Sequence, residues 1–299
     1  GARLVLGSAT PSIESYYKAF RGEYRLLEMK KRANGKDFPK VHIVDMTDEM
    51  RNGNRSPISR LLKKEIESRL KKGEQSILFM NRRGFSTYVF CRKCGYIEQC
   101  PNCDVSLTYH ANTNSLKCHY CGYEKSSPNI CPECGSDKIK RAGTGTQKIE
   151  SHVRSLFPNA RILRMDFDTT RKAGSMEKIL SDFRNNKADI LIGTQMVVKG
   201  HDFANVTLVG ILLADTALNF PDINSPQRTF QLCTQASGRA GRASKEGSVV
   251  MQTYSPKNKT LVYSSMHDYK KFYAYDIDYR KKMNYPPFSE ILGIFIANE

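Results

Sequence analysis

Four pairs of cysteines, each with a C-x-x-C spacing, constrain the fold of this 299-residue sequence more than any other feature. They use eight of the nine cysteines: Cys91/Cys94, Cys100/Cys103, Cys118/Cys121 and Cys131/Cys134. Two thiolates two residues apart can turn toward one tetrahedral Zn²⁺, and a second pair completes the site. A glycine follows three of the pairs and lets the backbone fold over the sulfurs at positive φ. The pattern therefore predicts two four-cysteine zinc sites.

The sequence leaves open which pairs combine. Cys103 and Cys118 are separated by 14 residues, close to the spacing of a zinc ribbon, which favours a nested arrangement. The inner site would then use Cys100, Cys103, Cys118 and Cys121, and the outer site Cys91, Cys94, Cys131 and Cys134. Sequential pairing is the alternative, because the five residues between Cys94 and Cys100 can form a short loop. Iron is the competing metal, since all-thiolate sites also hold iron.

The net charge of +17 points to a polyanionic partner. An apolar fraction of 39% is enough for a packed core and argues against a disordered chain. No apolar run approaches the roughly 18 residues of a membrane-spanning helix, so we expect no membrane protein. The opening segment GARLVLGSATPS has neither Met nor a signal-peptide pattern, so we expect a piece of a longer chain.

On both sides of the cysteines, short apolar runs alternate with amphipathic stretches. Helices are predicted at 56–72, 146–157, 174–186 and 225–240, and strands at 76–81, 161–165, 190–193, 206–213 and 248–253. This alternation predicts an α/β fold with a parallel sheet. The cysteine segment is poor in Leu, Ile and Val, so metal ions would supply its stability. We expect it to interrupt the α/β domain after its first strand.

Four stretches resemble the motor of superfamily 2 helicases. They are Gly7–Pro11 (the Ser-Ala-Thr motif), Ser76–Gly84 (fourth motif), Ile190–Gln195 with Lys199–Phe203 (fifth motif) and Gln235–Arg242 (sixth motif). The sixth, Q-x-x-G-R-x-G-R, is the most specific of them, although alone it would also suit a basic surface patch. No G-x-x-x-x-G-K-[ST] phosphate loop occurs in the sequence.

The helicase resemblance implies a role for each matched residue at the nucleotide. Arg239 and Arg242 are three residues apart, so on a helix they share a face, and their guanidiniums suit the charge of a transferring phosphoryl group. Together with Gln235 they are the candidate catalytic residues. Gly200 and Asp202 would join the two arginines in binding the nucleotide, with the carboxylate accepting from the ribose.

For DNA, the candidates are Thr194, Gln195 and Arg82. Thr194 follows a predicted strand, where its hydroxyl and the local N–H groups can hold a strand phosphate. Ser8 and Thr10 of the Ser-Ala-Thr motif would couple the nucleotide state to strand movement. These roles are carried over from the resemblance, residue by residue.

The cysteine-rich excursion after the fourth motif narrows the resemblance to the PriA family of bacterial replication-restart helicases. GTGTQ (143–147), ADTALNFPD (214–222) and YPPF (285–288) agree with that family. The implied fold is a RecA-like second helicase lobe with an inserted zinc-binding subdomain and the start of a C-terminal domain. The corresponding divisions are 1–15 (end of the first lobe), 16–90 and 142–255 (second lobe), 91–141 (zinc subdomain) and 256–299 (C-terminal domain).

The PriA resemblance implies an ATP-dependent 3′-to-5′ DNA helicase that recognises stalled forks and loads the primosome. Its cofactors would be two Zn²⁺, ATP and Mg²⁺. Its partners would be forked or single-stranded DNA, primosome proteins and single-strand binding protein, in the bacterial cytoplasm at replication forks. Without a phosphate loop, we expect these 299 residues alone not to hydrolyse ATP. The alternatives are a non-catalytic zinc-ribbon scaffold that binds nucleic acid and another superfamily 2 DNA translocase.

The positive charge is unevenly distributed. Residues 91–141 contain seven Lys or Arg and five acidic residues, and two filled four-thiolate sites would add about −4. The flanking segments, which carry most of the excess, should therefore give the salt-dependent DNA binding. The cysteine segment also carries four tyrosines, Tyr96, Tyr109, Tyr120 and Tyr123. We expect them to stack on unpaired bases, to contact a protein partner or to support the small metal core.

Overall fold

A computed structural model describes residues 4–29, 38–80, 89–102, 106–110, 113–118, 121–141, 146–198, 203–218, 222–241 and 245–292. The helices are α1 Ile13–Phe20, α2 Met46–Arg51, α3 Arg60–Lys71, α4 Thr146–Leu156, α5 Ser175–Arg184, α6 Gln195–Val198, α7 Ser225–Ser237, α8 Lys259–Ser265 and α9 Tyr269–Lys282. The strands are β1 Lys40–Asp45, β2 Gln75–Met80, β3 Val89–Cys91, β4 Thr108–His110, β5 Ser115–Lys117, β6 Glu124–Ser126, β7 Ile139–Arg141, β8 Ile162–Met165, β9 Ile190–Gly193, β10 Val206–Leu212 and β11 Ser248–Thr253.

Six strands form one parallel sheet in the order β1-β11-β10-β2-β9-β8. Side chains of the central strand β2 alternate between its faces: Ile77 and Phe79 join one apolar cluster, and Leu78 and Met80 join the other. Helices α3 and α4 cover the second cluster, whereas α5, α7 and α8 cover the first. The predicted α/β fold with a parallel sheet is thus confirmed, with one apolar layer on each side of the sheet.

One strand of the six-stranded sheet was not predicted. The edge strand β1 pairs along its full length with β11. Its residues are only partly buried, and its partner lies about 200 residues further along the chain, so local periodicity gives little sign of it. The cysteine segment therefore follows the second strand of the sheet in chain order, not the first as expected.

The cysteine-rich lobe has its own small sheets. Antiparallel pairing of β3 with β7 closes its base, and β4, β5 and β6 form a three-stranded sheet beyond it. The buried cluster inside is small, and two of its members are cysteines: Val89, Cys100, Leu107, Leu116 and Cys118. Tyr109 and Tyr123 pack against this cluster and support the core. Tyr120 lies outside the described residues.

The first and last helices meet around a buried arginine. Arg280 on α9, 1% exposed, donates to Asp276 (2.7 Å), Glu14 on α1 (2.6 Å), Asn224 (2.9 Å) and the carbonyl of Pro286 (3.0 Å). Every partner is an acceptor, so the buried charge is both paired and hydrogen-bonded. Nowhere in the described part of the chain is a helix long and apolar enough to cross a membrane.

Candidate metal centres and motor motifs

The sulfurs of the first and last cysteine pairs lie together at the base of the cysteine-rich lobe. The Sγ atoms of Cys91, Cys94, Cys131 and Cys134 all lie within 4.8 Å of one another. The Cys91–Cys134 distance is 3.7 Å and the Cys94–Cys131 distance is 3.6 Å. Zn–S bonds of 2.3 Å place tetrahedral sulfurs about 3.8 Å apart, so these four fit one Zn²⁺. This is the outer site of the nested arrangement.

Local backbone geometry builds each knuckle of the outer site, a knuckle being one C-x-x-C pair with the turn that follows it. The amide of Gly95 donates to the carbonyl of Cys91 at 2.8 Å, and that of Gly135 to Cys131 at 2.9 Å. Both glycines have positive φ, at +80° and +65°. Pairing of Cys91 with Ile139 across β3 and β7 brings the two knuckles together, although their sequence positions are 40 residues apart.

A second sulfur cluster, which belongs to the inner site of the nested arrangement, lies away from the base of the lobe. Cys100, Cys118 and Cys121 have their Sγ atoms within 4.8 Å of one another, with Cys100 and Cys121 at 3.5 Å. Cys103, the predicted fourth ligand, lies outside the described residues. The three sulfurs combine the second and third pairs, as the nested arrangement requires. No histidine accompanies either cluster among the residues that the structure describes.

The donor chemistry of the outer site fits a metal. Burial and the neighbouring thiols of Cys134, Cys131 and Cys91 raise the pKa of Cys94 to about 12. The Cys94 thiol would stay protonated at neutral pH, whereas a bound dication displaces its proton and is coordinated by four thiolates at once. The cysteine clusters therefore suggest zinc binding.

The outer site is packed directly on the end of the six-stranded sheet. A Cβ on Gly95 would lie 3.0 Å from the carbonyl oxygen of Tyr254, the residue that follows β11. The rings of Phe90 and Tyr254 are 4.8 Å apart, and Arg92 donates to the carbonyl of Arg55 at 3.2 Å. This docking fixes the base of the cysteine-rich lobe at the carboxyl end of a central strand.

The candidate DNA residues Thr194 and Gln195 lie where β9 turns into α6. The amide of Val197 donates to the carbonyl of Thr194 at 3.0 Å, and Gln195 is the first residue of α6. Both side chains are half-buried at the carboxyl edge of the sheet. Arg82 lies outside the described residues, so its relation to them is not described.

The sixth motif begins on α7. Gln235 is exposed in the last turn of this helix, and Arg239 is half-buried in the turn that follows, where its amide donates to Ala236 at 3.0 Å. Gly200, Asp202 and Arg242 lie outside the described residues. The structure therefore places two members of the predicted nucleotide site one helical turn apart and leaves the other three undescribed.

The Ser-Ala-Thr segment contacts α7, the helix on which the sixth motif begins. Thr10, 4% exposed, donates its amide to Ser8 Oγ at 3.1 Å, and its carbonyl accepts from Gln231 Nε2 at 2.9 Å. One turn earlier, Gln227 Oε1 accepts from the amide of Ile13 at 2.8 Å. Gln227, Gln231 and Gln235 are spaced by four, so they share one face of α7. That spacing was the signal in the sequence, and the two upstream glutamines were missed.

Two protein families match stretches of the chain. The PriA DNA helicase Cys-rich region domain matches residues 100–125, and the helicase conserved C-terminal domain matches residues 141–244. The first match covers the inner cysteine cluster, and the second runs from the last residue of β7 to the sixth motif.

Relatives match nearly the whole chain. The replication restart protein PriA of Bacillus subtilis is 51% identical over 296 residues, covering 99% of this chain and 37% of the relative. PriA of Synechocystis is 44% identical, covering 97% of this chain and 36% of the relative, and PriA of Chlamydia trachomatis is 44% identical, covering 97% and 39%. The chain thus spans little more than a third of the length of these relatives. By these matches, this chain belongs to the PriA family of replication restart proteins.

Proposed function

We propose that this chain provides the second motor lobe of an ATP-dependent 3′-to-5′ DNA helicase that recognises stalled replication forks and loads the primosome. The observation that carries the proposal is the 51% identity of nearly the whole chain to a replication restart protein. The parallel sheet with Thr194 at its carboxyl edge and Arg239 after α7 supplies a scaffold on which such a motor can act.

ATP with Mg²⁺ is the nucleotide cofactor of the proposed motor. Arg239 and Arg242 would face the γ-phosphate and stabilise the charge that develops there, while Gly200 and Asp202 would lie at the ribose. Gln235, one turn before Arg239, would orient groups at the same phosphate. A phosphate loop is needed to cradle the nucleotide, so these 299 residues alone should not hydrolyse ATP.

DNA is the proposed polyanionic partner. Thr194, Gln195 and Arg82 would hold the backbone of one strand, and the basic excess outside residues 91–141 would supply the salt-dependent part of the affinity. Forked or single-stranded DNA fits this use. Primosome proteins and single-strand binding protein are the proposed protein partners, in the bacterial cytoplasm near the nucleoid.

Two Zn²⁺ ions are proposed for the cysteine-rich lobe, one per four-cysteine site. Cys91, Cys94, Cys131 and Cys134 would bind the first, and Cys100, Cys103, Cys118 and Cys121 the second. Their function is to fold the lobe and fix it to the motor, since a closed four-thiolate site leaves no open position for catalysis.

The motor assignment is tested with Arg239→Ala in the full-length protein. Removing a guanidinium from the γ-phosphate should slow DNA-stimulated ATP hydrolysis by about 10³-fold, with DNA affinity unchanged. Arg228→Ala is the matched control, because Arg228 lies on α7, the helix that precedes Arg239, and pairs with Asp222 at the protein surface. An Arg239→Ala protein that hydrolyses ATP at the normal rate would contradict the assignment and favour a non-catalytic scaffold.

A further inference from the structure

Phe167 is an aromatic side chain that the protein presents to solvent. It is 72% exposed, although phenylalanine is usually buried, and it follows the edge strand β8. The guanidinium carbon of Arg171 lies 5.2 Å from the centre of its ring, within the range of a cation–π contact. Arg171 thus lies over one face of the ring, and the ring is otherwise largely open to solvent.

The turn that carries Phe167 is tightly organised. Asp166, 7% exposed, accepts from the amide of Thr169 at 3.0 Å, and its own amide donates to Thr169 Oγ1 at 3.0 Å. Thr146 on α4 and Arg164 also contact the Asp166 carboxylate, and Thr170 donates to its carbonyl at 2.7 Å. These hydrogen bonds fix the backbone turn on both sides of Phe167, so the exposure of its ring is a property of the fold.

The position of this turn links Phe167 to the proposed DNA track. Strands β8 and β9 are parallel neighbours, and Met165 is paired with Gly193 at their carboxyl ends. Thr194 follows Gly193 by one residue, and Phe167 follows Met165 by two. Gly193 lacks a side chain where a Cβ would lie 2.8 Å from the carbonyl of Met165, so the two strand ends approach each other closely. Phe167 therefore emerges at the same edge as Thr194 and Gln195.

The charges around Phe167 favour a base over a phosphate. Asp168 lies beside the ring in sequence and pairs with Arg171 at 3.3 Å, so the turn carries little net charge. A phosphate gains little electrostatic attraction from such a neutralised pair. Any unpaired base can stack on an aromatic ring, because every base has a π-face. Arg171 polarises that ring from one side.

We propose that Phe167, supported by Arg171, is a base-stacking platform for single-stranded DNA at the edge of the sheet beside Thr194. The inference rests on the proposed function in that it assumes the strand crosses this edge. The platform takes any base, and it adds affinity that does not depend on salt, next to the phosphate contacts of Thr194 and Gln195.

The test uses this chain, a fluorescein-labelled oligothymidylate and fluorescence anisotropy over a range of salt concentrations. Phe167→Ala should weaken binding about tenfold, as expected for loss of one stacked base. The slope of log affinity against log salt should stay the same, because no charge is removed. Phe167→Tyr, which keeps the ring, should bind as the unaltered chain does. Phe20→Ala is the matched control, since Phe20 is 79% exposed at the end of α1.

Normal binding by Phe167→Ala would overturn the stacking platform while leaving the proposed DNA track in place. Equal losses in Phe167→Ala and Phe167→Tyr would also overturn it, because the ring would then not be the group that matters. An unaltered chain that binds no oligothymidylate would overturn both the platform and the DNA part of the proposed function. Only loss with alanine, recovery with tyrosine and a constant salt slope support the platform.

Discussion

The six-stranded sheet and the cysteine-rich lobe belong to one chain but are stabilised by different means. The sheet is buried between two large apolar clusters, and every residue of β2 is buried. The described cluster of the cysteine-rich lobe has five buried members, two of which are cysteines. Apolar burial can stabilise the first region, whereas the second needs the free energy of metal binding. The two regions should therefore respond differently to loss of metal and to loss of buried apolar contacts.

Zinc removal should show the largest difference between the two regions. Chelation of zinc should unfold residues 91–141, because a structural zinc contributes about 10–16 kcal/mol in small zinc domains. The amides of β2 and β10 should stay protected in hydrogen-exchange mass spectrometry, since apolar contacts hold the sheet.

Renewed protection of residues 91–141 after zinc is added back is the control for chelator damage. Equal protection of the lobe with and without zinc would show that its small apolar core is sufficient to keep it folded. It would contradict the claim that the two regions are stabilised by different means.

Phe79→Ala should destabilise the six-stranded sheet and leave the cysteine-rich lobe intact. Phe79 is 0% exposed in β2, and truncating a buried Phe costs about 3–5 kcal/mol through lost contacts and the cavity left behind. The free energy of unfolding of the sheet, measured with urea, should fall by this amount, while the folded protein keeps its zinc content. Phe20→Ala, at an exposed position, should change it by less than about 0.5 kcal/mol. Loss of zinc in Phe79→Ala under native conditions would contradict the separation.

Gly95→Ala should have a smaller effect at the junction of the two regions. Gly95 and Gly122 both have positive φ, at +80° and +75°, which costs an alanine about 1–2 kcal/mol. Only at Gly95 would the new Cβ also press on Tyr254, whereas nothing lies within 4 Å of that position at Gly122. Native-state hydrogen exchange should therefore show greater destabilisation of the outer knuckle by Gly95→Ala than of the inner knuckle by Gly122→Ala. Equal effects would mean that the docking contact contributes nothing.

Most elements of the six-stranded sheet domain can be predicted from the sequence, because the patterns that indicate its strands and helices are local. The runs 190–193 and 248–253 are strands at the predicted residues, and α7 begins at Ser225 as predicted. The two strands are apolar runs, and the proline in the first turn of α7 is a helix-start signal. The spacing of the cysteine pairs favours the nested arrangement, and the sulfur positions in the described residues agree with it.

Contacts between distant polar residues could not be predicted in this way. Arg280 meets Glu14 across 266 residues, and Gln231 meets Thr10 across 221. Neither pair leaves a periodic pattern, because a buried ion pair or a side chain bonded to a carbonyl depends on the tertiary fold. The proposed role of Phe167 likewise depends on the tertiary fold, through its exposure and the register of β8 with β9.

The nested arrangement of two zinc sites is tested most directly by the zinc content of a quadruple variant. Cys91, Cys94, Cys131 and Cys134 are all changed to Ser, and zinc per chain is measured by native mass spectrometry beside the unaltered chain. The nested arrangement predicts two zinc ions in the unaltered chain and one in the variant, because the inner site keeps all four thiolates. A variant without zinc would contradict it, because sequential pairing leaves each site with only two thiolates.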